Sequence, residues 1–191
     1  IEILLTFSLS YLSGSVPFGL ILAKFFLNKD LRKIGSKNIG ATNVLRTGNK
    51  LIAGLTLIFD ITKGVIPVLL TKEYFTDLIY LSSLAAFLGH IFPVWLKFKG
   101  GKGVATYLGI MFGLSLNLSF IFCISWIIIS LVTKYSSLSS IVSALIIFVF
   151  SFLNYNFELA SYLFVTFIII LYTHRQNIVR IKNKSEDKIK L

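Results

Sequence analysis

Three polar stretches interrupt an otherwise apolar chain, and their residue types suit one kind of chemistry. The first, DLRKIGSKNIGATNVLRTGNK from Asp30 to Lys50, sets Gly35, Gly40 and Gly48 among Ser36, Asn38, Thr42, Asn43 and Arg46. The second, FKGGKGVAT from Phe98 to Thr106, places Gly100, Gly101 and Gly103 around Lys102, with Thr106 expected in the first turn of the helix that follows. Glycines let successive backbone N–H groups turn toward one anion, and hydroxyls and amides add donors. Arg46 can grip a phosphate or carboxylate with two parallel bonds, and a helix N-terminus aims its own N–H groups at the same spot. That equipment is for phosphate recognition. The plainer reading of the same glycines is tight turns and close packing at membrane helix ends. The third stretch, THRQNIVRIKNKSED from Thr173 to Asp187, contains His174, Arg175, Asn177 and Glu186. On a continuing helix His174 and Asn177 stand three apart and face the same way.

Several chemistries are excluded by spacing. Gly-Lys is not followed by Ser or Thr, and neither glycine loop follows a strand, so nucleotide-binding fingerprints do not apply. The cytoplasmic carboxylates expected are Asp30, Glu186 and Asp187, too scattered for a metal cluster, so no metal and no cofactor are expected. A His-x4-Asp acid–base pair is missing, because Trp95 stands five residues after His90 and Val179 five after His174. Cys123 has no second cysteine to pair with.

The elements that must position these loops are membrane helices. Hydrophobic residues make up 55% of the 191 and aromatics 15%, above the usual share for soluble domains. The run from Ala105 to Thr133 carries no charge, and from Tyr135 to Thr173 only Glu158 does. Spans are expected at Ile3 to Leu27, Leu51 to Thr71, Leu78 to Leu96, Val104 to Leu116, Leu118 to Thr133, Leu138 to Leu153 and Leu159 to Thr173. One helix over Ala105 to Thr133 would be ~43 Å long, so a tight turn is expected at Asn117. Five spans with re-entrant segments are the alternative. Ile3 to Leu27 lacks a basic leader and a cleavage site and is read as a retained span; the chain opens on Ile1 rather than Met, so a few preceding residues are expected.

Seventeen of the nineteen Lys and Arg residues then fall on one face, from Lys24 through the tail cations Arg175, Arg180, Lys182, Lys184, Lys188 and Lys190. The positive-inside rule makes that face cytoplasmic and puts the N-terminus outside. The expectation is a single domain over residues 1–191, an all-α polytopic protein with seven transmembrane helices. Its partners are the lipid bilayer and small phosphorylated molecules, not nucleic acid. Asp60 and Lys63 in FDITKG stand three apart inside a span, where a bare charge is expensive. Mutual neutralisation as a structural pair is the simplest account, and a proton or ion pathway the other. His90 reads as an interhelical hydrogen bond or a support for the second loop.

Taken together, GSVPFG (Gly14 to Gly19), GSKNIGATNVLRTG, GHIFPVWLKFKGGKGVAT and HRQNIVR resemble the bacterial membrane-bound acyl-phosphate:glycerol-3-phosphate acyltransferases, the PlsY family. The resemblance covers essentially the whole chain and implies a bacterial inner membrane. It implies transfer of a fatty acyl group from acyl phosphate to the sn-1 hydroxyl of glycerol 3-phosphate, giving lysophosphatidic acid and phosphate, and a partner in the enzyme that makes acyl phosphate. By motif it carries activity to Ser36 and Arg46, glycerol-phosphate binding to Gly100, Gly101, Lys102 and Gly103, and a third-motif role to His174 and Asn177. It also implies a serine at the start of the sixth span, taken as Ser140 with Ser137 and Ser139 close by, and a structural Glu186. Where the family runs Gly-Thr-Glu, this chain reads Lys184, Ser185, Glu186, which puts the local turn in question. The rival class is a transporter for a phosphorylated solute, which would place its polar residues at mid-bilayer rather than on one face. A nonenzymatic lipid-binding scaffold would not need both glycine loops.

Overall fold

The computed structural model describes residues 1–189; Lys190, one of the tail cations, lies outside them with Leu191. Among the described residues there are helices and loops and no strand. They form two compact units, Ile1–Leu114 and the chain from Ser115 onward.

The first unit opens with α1 (Glu2–Ser15) and α2 (Phe18–Leu27). The single span expected over Ile3 to Leu27 is one 26-residue stretch, Glu2–Leu27, broken into two helices at Val16 and Pro17 because Pro17 lacks an N–H and cannot continue α1, yet suits the head of α2. The first loop contains the short α3 (Ala41–Leu45). It leads into the 25-residue α4 (Lys50–Tyr74), whose first turn is capped by Asn49 Oδ1 accepting from the Ile52 N–H at 3.0 Å. The third expected span falls within one candidate stretch, Thr76–Leu96, in which α5 covers Ile79–Ile91, Pro93 follows its end and a 3-10 turn covers Val94–Leu96. After the second loop comes α6 (Val104–Leu114), whose 11 residues reach only ~16 Å, about half a bilayer core.

The second unit holds α7 (Leu116–Thr133), α8 (Ser136–Asn154), α9 (Phe157–Thr173) and α10 (Arg175–Lys182). The turn expected at Asn117 falls two residues earlier: Ser115 Oγ accepts from the Leu118 N–H and caps α7, leaving Asn117 inside its first turn. The helix expected to continue through His174 bends there by 58°. Among the described residues five helical stretches are long and apolar enough to cross a membrane, and α9 with α10 makes a sixth when counted as one broken span.

Helices in lipid gain nothing from hiding apolar surface from one another, so they associate through close contact and small residues. In the first unit, Gly14 of α1 lies on the Ala86 backbone of α5, and Gly89 of α5 on the Tyr11 carbonyl. Gly64 of α4 and Gly109 of α6 meet the Thr106 and Ile61 carbonyls in the same way. Gly19, in the first turn of α2, lies on the Ile39 carbonyl of the first loop and beside Thr56 of α4. The long helix α4 is therefore the shared support of both glycine loops.

A Cβ at Gly89 would overlap backbone that cannot swing aside. Gly89→Ala is expected to cost about 1–3 kcal/mol, as overpacking does. The measurement is the thermal unfolding midpoint in detergent, and an unshifted midpoint would show that α1 and α5 separate easily.

Candidate functional site

The first loop is organised by Asn43 from within. Its side chain is buried, its Nδ2 donates to the carbonyls of Leu31, Ile34 and Asn38 at 3.0, 3.1 and 2.7 Å, and its Oδ1 accepts from the Ser36 N–H at 3.1 Å. Expected as a phosphate donor, Asn43 instead spends its amide shaping the loop. Gly35, at φ +50, lets the Arg46 side chain pass over it; a Cβ there would lie 2.6 Å from Asn43 Oδ1 and 3.0 Å from Arg46 Cδ. Ser36 and Arg46 are thereby neighbours at one edge of the loop, with Asn38, Gly40 and Thr42 half-buried beside them. Asp30 is not an available base. Hydrogen bonds from the Arg32 side chain and backbone, at 2.9 to 3.0 Å, lower its carboxyl to about 2.

The second loop also spends donors on itself. The Gly100 N–H donates to the Ile91 carbonyl at 3.0 Å and the Gly101 N–H to that of His90 at 3.1 Å. Those two amides therefore do not form the expected anion nest. The glycines are needed for close approach: a Cβ at Gly101 would overlap the His90 imidazole, and one at Gly103, which has φ +81, would overlap the Phe87 ring. Intrahelical bonding in α6 begins with the Tyr107 N–H on the Gly103 carbonyl at 2.7 Å, so the N–H groups just before it point out of the helix end beside Lys102. Thr106 does not offer its hydroxyl there. It is buried and shares a 3.1 Å hydrogen bond with His90 Nδ1.

Asp60 and Lys63 do form a pair, with Nζ 2.7 Å from Oδ1 and exposures of 1% and 4%. Sequence reasoning missed the second partner of Lys63, the Val16 carbonyl at 2.7 Å, in the break between α1 and α2. The signal was present in GSVPFG, since Pro17 inside an apolar helix leaves carbonyls without their usual donors.

In the second unit the third motif lies on both sides of the bend. His174 closes α9 and opens α10, is 2% exposed, and directs Nδ1 at the Ile170 carbonyl, 2.9 Å away. With a proton on Nδ1, Nε2 is the acceptor of the neutral ring. Asn177, 3% exposed, donates Nδ2 to Glu186 Oε1 at 2.5 Å, and its buried Oδ1 has no hydrogen-bond donor among the described residues. Glu186 also accepts from Ser137 Oγ at 2.7 Å and pairs with Arg180 Nε at 2.7 Å. Burial by itself would raise the Glu186 carboxyl; the bonds from Asn177, Ser137 and Arg180 outweigh it and hold the carboxyl below its ordinary range. Ser140 takes a bond from Trp126 Nε1 at 3.1 Å and donates to the Ser136 carbonyl, while Ser139 donates to that of Tyr135.

The turn put in question by the missing glycine is kept. Lys184 has φ +55, its N–H reaches the Ile181 carbonyl, and the Ser185 N–H reaches that of Arg180 at 2.8 Å. This is the left-handed helix end that glycine usually supplies, here built with a lysine. Among the described residues no three His, Cys, Asp or Glu side chains group as a metal would require.

Residues 4–184 match the family model described as glycerol-3-phosphate acyltransferase. The chain is 55% identical over 184 residues to a glycerol-3-phosphate acyltransferase of Pelagibacter ubique, covering 95% of each. It is 48% identical to one of Bartonella henselae, covering 97% of this chain and 90% of that one. The crystal structure of PlsY, an integral membrane glycerol 3-phosphate acyltransferase, in its glycerol 3-phosphate form superposes with a TM-score of 0.94 at 36% identity, over 100% of this chain and 96% of that one. Its lysophosphatidic acid form gives 0.91 over 98% and 95%.

Two outcomes follow from the Glu186 strut. Its carboxyl titrates below the unfolded value of 4.5, so the strut stabilises fully above that value and fades as pH falls through the folded one. The unfolding midpoint of the parent should therefore exceed that of Glu186→Gln at neutral pH, with the gap narrowing below pH 4.5. Lys184→Gly should relieve the left-handed strain and raise stability by about 1 kcal/mol, read as a higher midpoint.

Proposed function

Since the chain belongs to the glycerol-3-phosphate acyltransferase family, whose reaction feeds phospholipid synthesis, we propose that its acyl donor is acyl phosphate and its product 1-acyl-glycerol 3-phosphate, lysophosphatidic acid. The sn-1 hydroxyl oxygen attacks the acyl carbonyl carbon. The carbon–oxygen bond to phosphate breaks with its electron pair leaving on phosphate, and a phosphate oxygen takes the hydroxyl proton.

One observation carries this reading. His174 directs Nδ1 at a backbone carbonyl, an uncharged partner that orients the ring without stabilising an imidazolium as a carboxylate would. A donor that brings its own phosphate supplies both a good leaving group and a proton acceptor. A chain with Glu186 holding Nδ2 of Asn177 offers Oδ1 as an acceptor, suited to orient a substrate hydroxyl. Ser36, Arg46, Lys102 and the N-terminus of α6 take the phosphate charges, with Asn38, Gly40 and Thr42 lining the first loop. Orienting two bound reactants can lower a barrier by about 7–11 kcal/mol without any covalent intermediate.

The proposed setting is a bacterial inner membrane crossed seven times, α6 and α7 making the short pair, by one acyltransferase domain. The N-terminus lies outside, and the active loops and tail lie on the cytoplasmic side, supported by the cationic bias of that face. The enzyme that makes acyl phosphate is the natural partner, because that mixed anhydride hydrolyses readily.

The test offers acyl phosphate, acyl-CoA and acyl carrier protein separately and measures acyl transfer to glycerol 3-phosphate. Turnover with acyl phosphate alone is expected, and turnover with a thioester alone would overturn the reading. His174→Ala should lose ~10–100-fold in kcat, as misplacement does. A loss beyond ~10⁴-fold would make His174 a general base instead.

A further inference from the structure

We propose that Asp60, Lys63 and His90 are positioning residues for glycerol 3-phosphate binding: one buried network that ties the floor of the second glycine loop to the helix break supporting the first. The inference rests on the reading that these loops bind the substrate's phosphate.

The network starts at Pro17. A proline within a membrane helix frees backbone carbonyls, and hydrocarbon offers them nothing. Lys63 Nζ answers the Val16 carbonyl at 2.7 Å, and the Ser13 hydroxyl returns a 3.0 Å bond to the Lys63 carbonyl. The ammonium also lies 5.8 Å from the centre of the Phe18 ring, over its face. α2 is thereby held at its first turn, where Gly19 lies on the Ile39 carbonyl between Asn38 and Gly40. A movement of Val16 is passed directly to the first loop.

The other arm runs through Asp60. A buried ammonium needs a counter-charge, and Asp60 Oδ1 supplies it at 2.7 Å. The same oxygen is 3.9 Å from His90 Nδ1, too long for a hydrogen bond but close enough to orient the ring. His90 Nδ1 shares its bond with Thr106 in the first turn of α6, the ring lies against Gly101, and the His90 carbonyl accepts from the Gly101 N–H. The Trp95 indole closes the circuit by donating to Ser15 Oγ at 2.8 Å, joining the approach to the second loop to the same break.

A pair that merely cancelled two charges would need none of these outward contacts. A conduction path is a poor fit to groups this enclosed, each committed to fixed partners. The geometry instead gives Lys63 and His90 one contact each on an element bearing a substrate loop, and Asp60 joins the two.

The experiment is equilibrium binding of glycerol 3-phosphate, by calorimetry on the full chain in detergent without any acyl donor. The variant Asp60→Asn with Lys63→Met carries no unpaired buried charge. It is expected to unfold within a few degrees of the parent yet bind at least tenfold more weakly. His90→Leu should weaken binding similarly, and His90→Asn, whose amide can reach the place of Nδ1, should recover most of it. Parental affinity in the doubly neutral protein, or in His90→Leu, overturns the proposal. Should the double variant fail to fold, the His90 pair decides by itself. The donor reading fails separately: a parent that binds glycerol 3-phosphate but takes its acyl group only from a thioester refutes acyl phosphate and leaves these binding results standing. A parent that does not bind glycerol 3-phosphate overturns both.

Discussion

Where a helix breaks inside hydrocarbon, another group of the protein must take the backbone polar atoms that the break releases, and this constraint organises the structure. At Val16 the group is the Lys63 ammonium, which in turn requires Asp60. At the end of α5 it is the Tyr11 hydroxyl, donating to the Phe92 carbonyl at 2.6 Å. At the bend after α9 it is Arg175 Nη1, donating to the Tyr172 carbonyl at 2.9 Å, while His174 Nδ1 adds a second contact to the Ile170 carbonyl that the His174 N–H already reaches. Each break is thus a place where polar side chains have a structural reason to be buried. Each also lies in or beside one of the motifs, because interrupted helices are where a membrane protein can present irregular backbone to a soluble ligand.

Within the first unit this has a consequence for the loops proposed to bind phosphate. Both glycine loops turn their own amides inward, Asn43 taking the Ser36 N–H and the α5 carbonyls taking those of Gly100 and Gly101. The loops are consequently stiff, and the groups suited to a phosphate are side chains and the helix end at Lys102. Rigid loops lose little entropy on binding, which favours orientation over adaptability. The glycines serve that stiffness by permitting contact distances that no side chain would allow, as at Gly101 against His90.

The tail of the second unit solves a related problem with a carboxylate. Glu186 accepts from Ser137 and Asn177 and pairs with Arg180, so one anion fixes the start of α8 against α10 and sets the direction of the Asn177 amide. The turn that delivers Glu186 tolerates Lys184 in a left-handed conformation because two backbone bonds hold it there. A lysine in that conformation raises the local cost of the turn, and the two backbone bonds offset it.

Composition and charge placement were enough to read an all-helical membrane protein, since uncharged runs such as Ala105 to Thr133 have few other homes. The motifs and the Asp60–Lys63 pairing were legible for the same local reason: each depends on residue type and on spacing of a few positions, whereas the structural part of Glu186 came only from the family resemblance. Periodicity did not reveal that Ile3 to Leu27 is broken, that the turn sits at Ser115, or that α9 bends at His174, because hydropathy is blind to where backbone bonds end. Nor did residue type distinguish the polar side chains that build the loops, such as Asn43 and Thr106, from those that can face a ligand; both kinds carry the same donors. The sequence by itself determined which groups the protein has and that lipid surrounds them. Only the tertiary structure decided which of those groups are already spent on one another, because a hydrogen bond made within the fold is no longer available to a substrate.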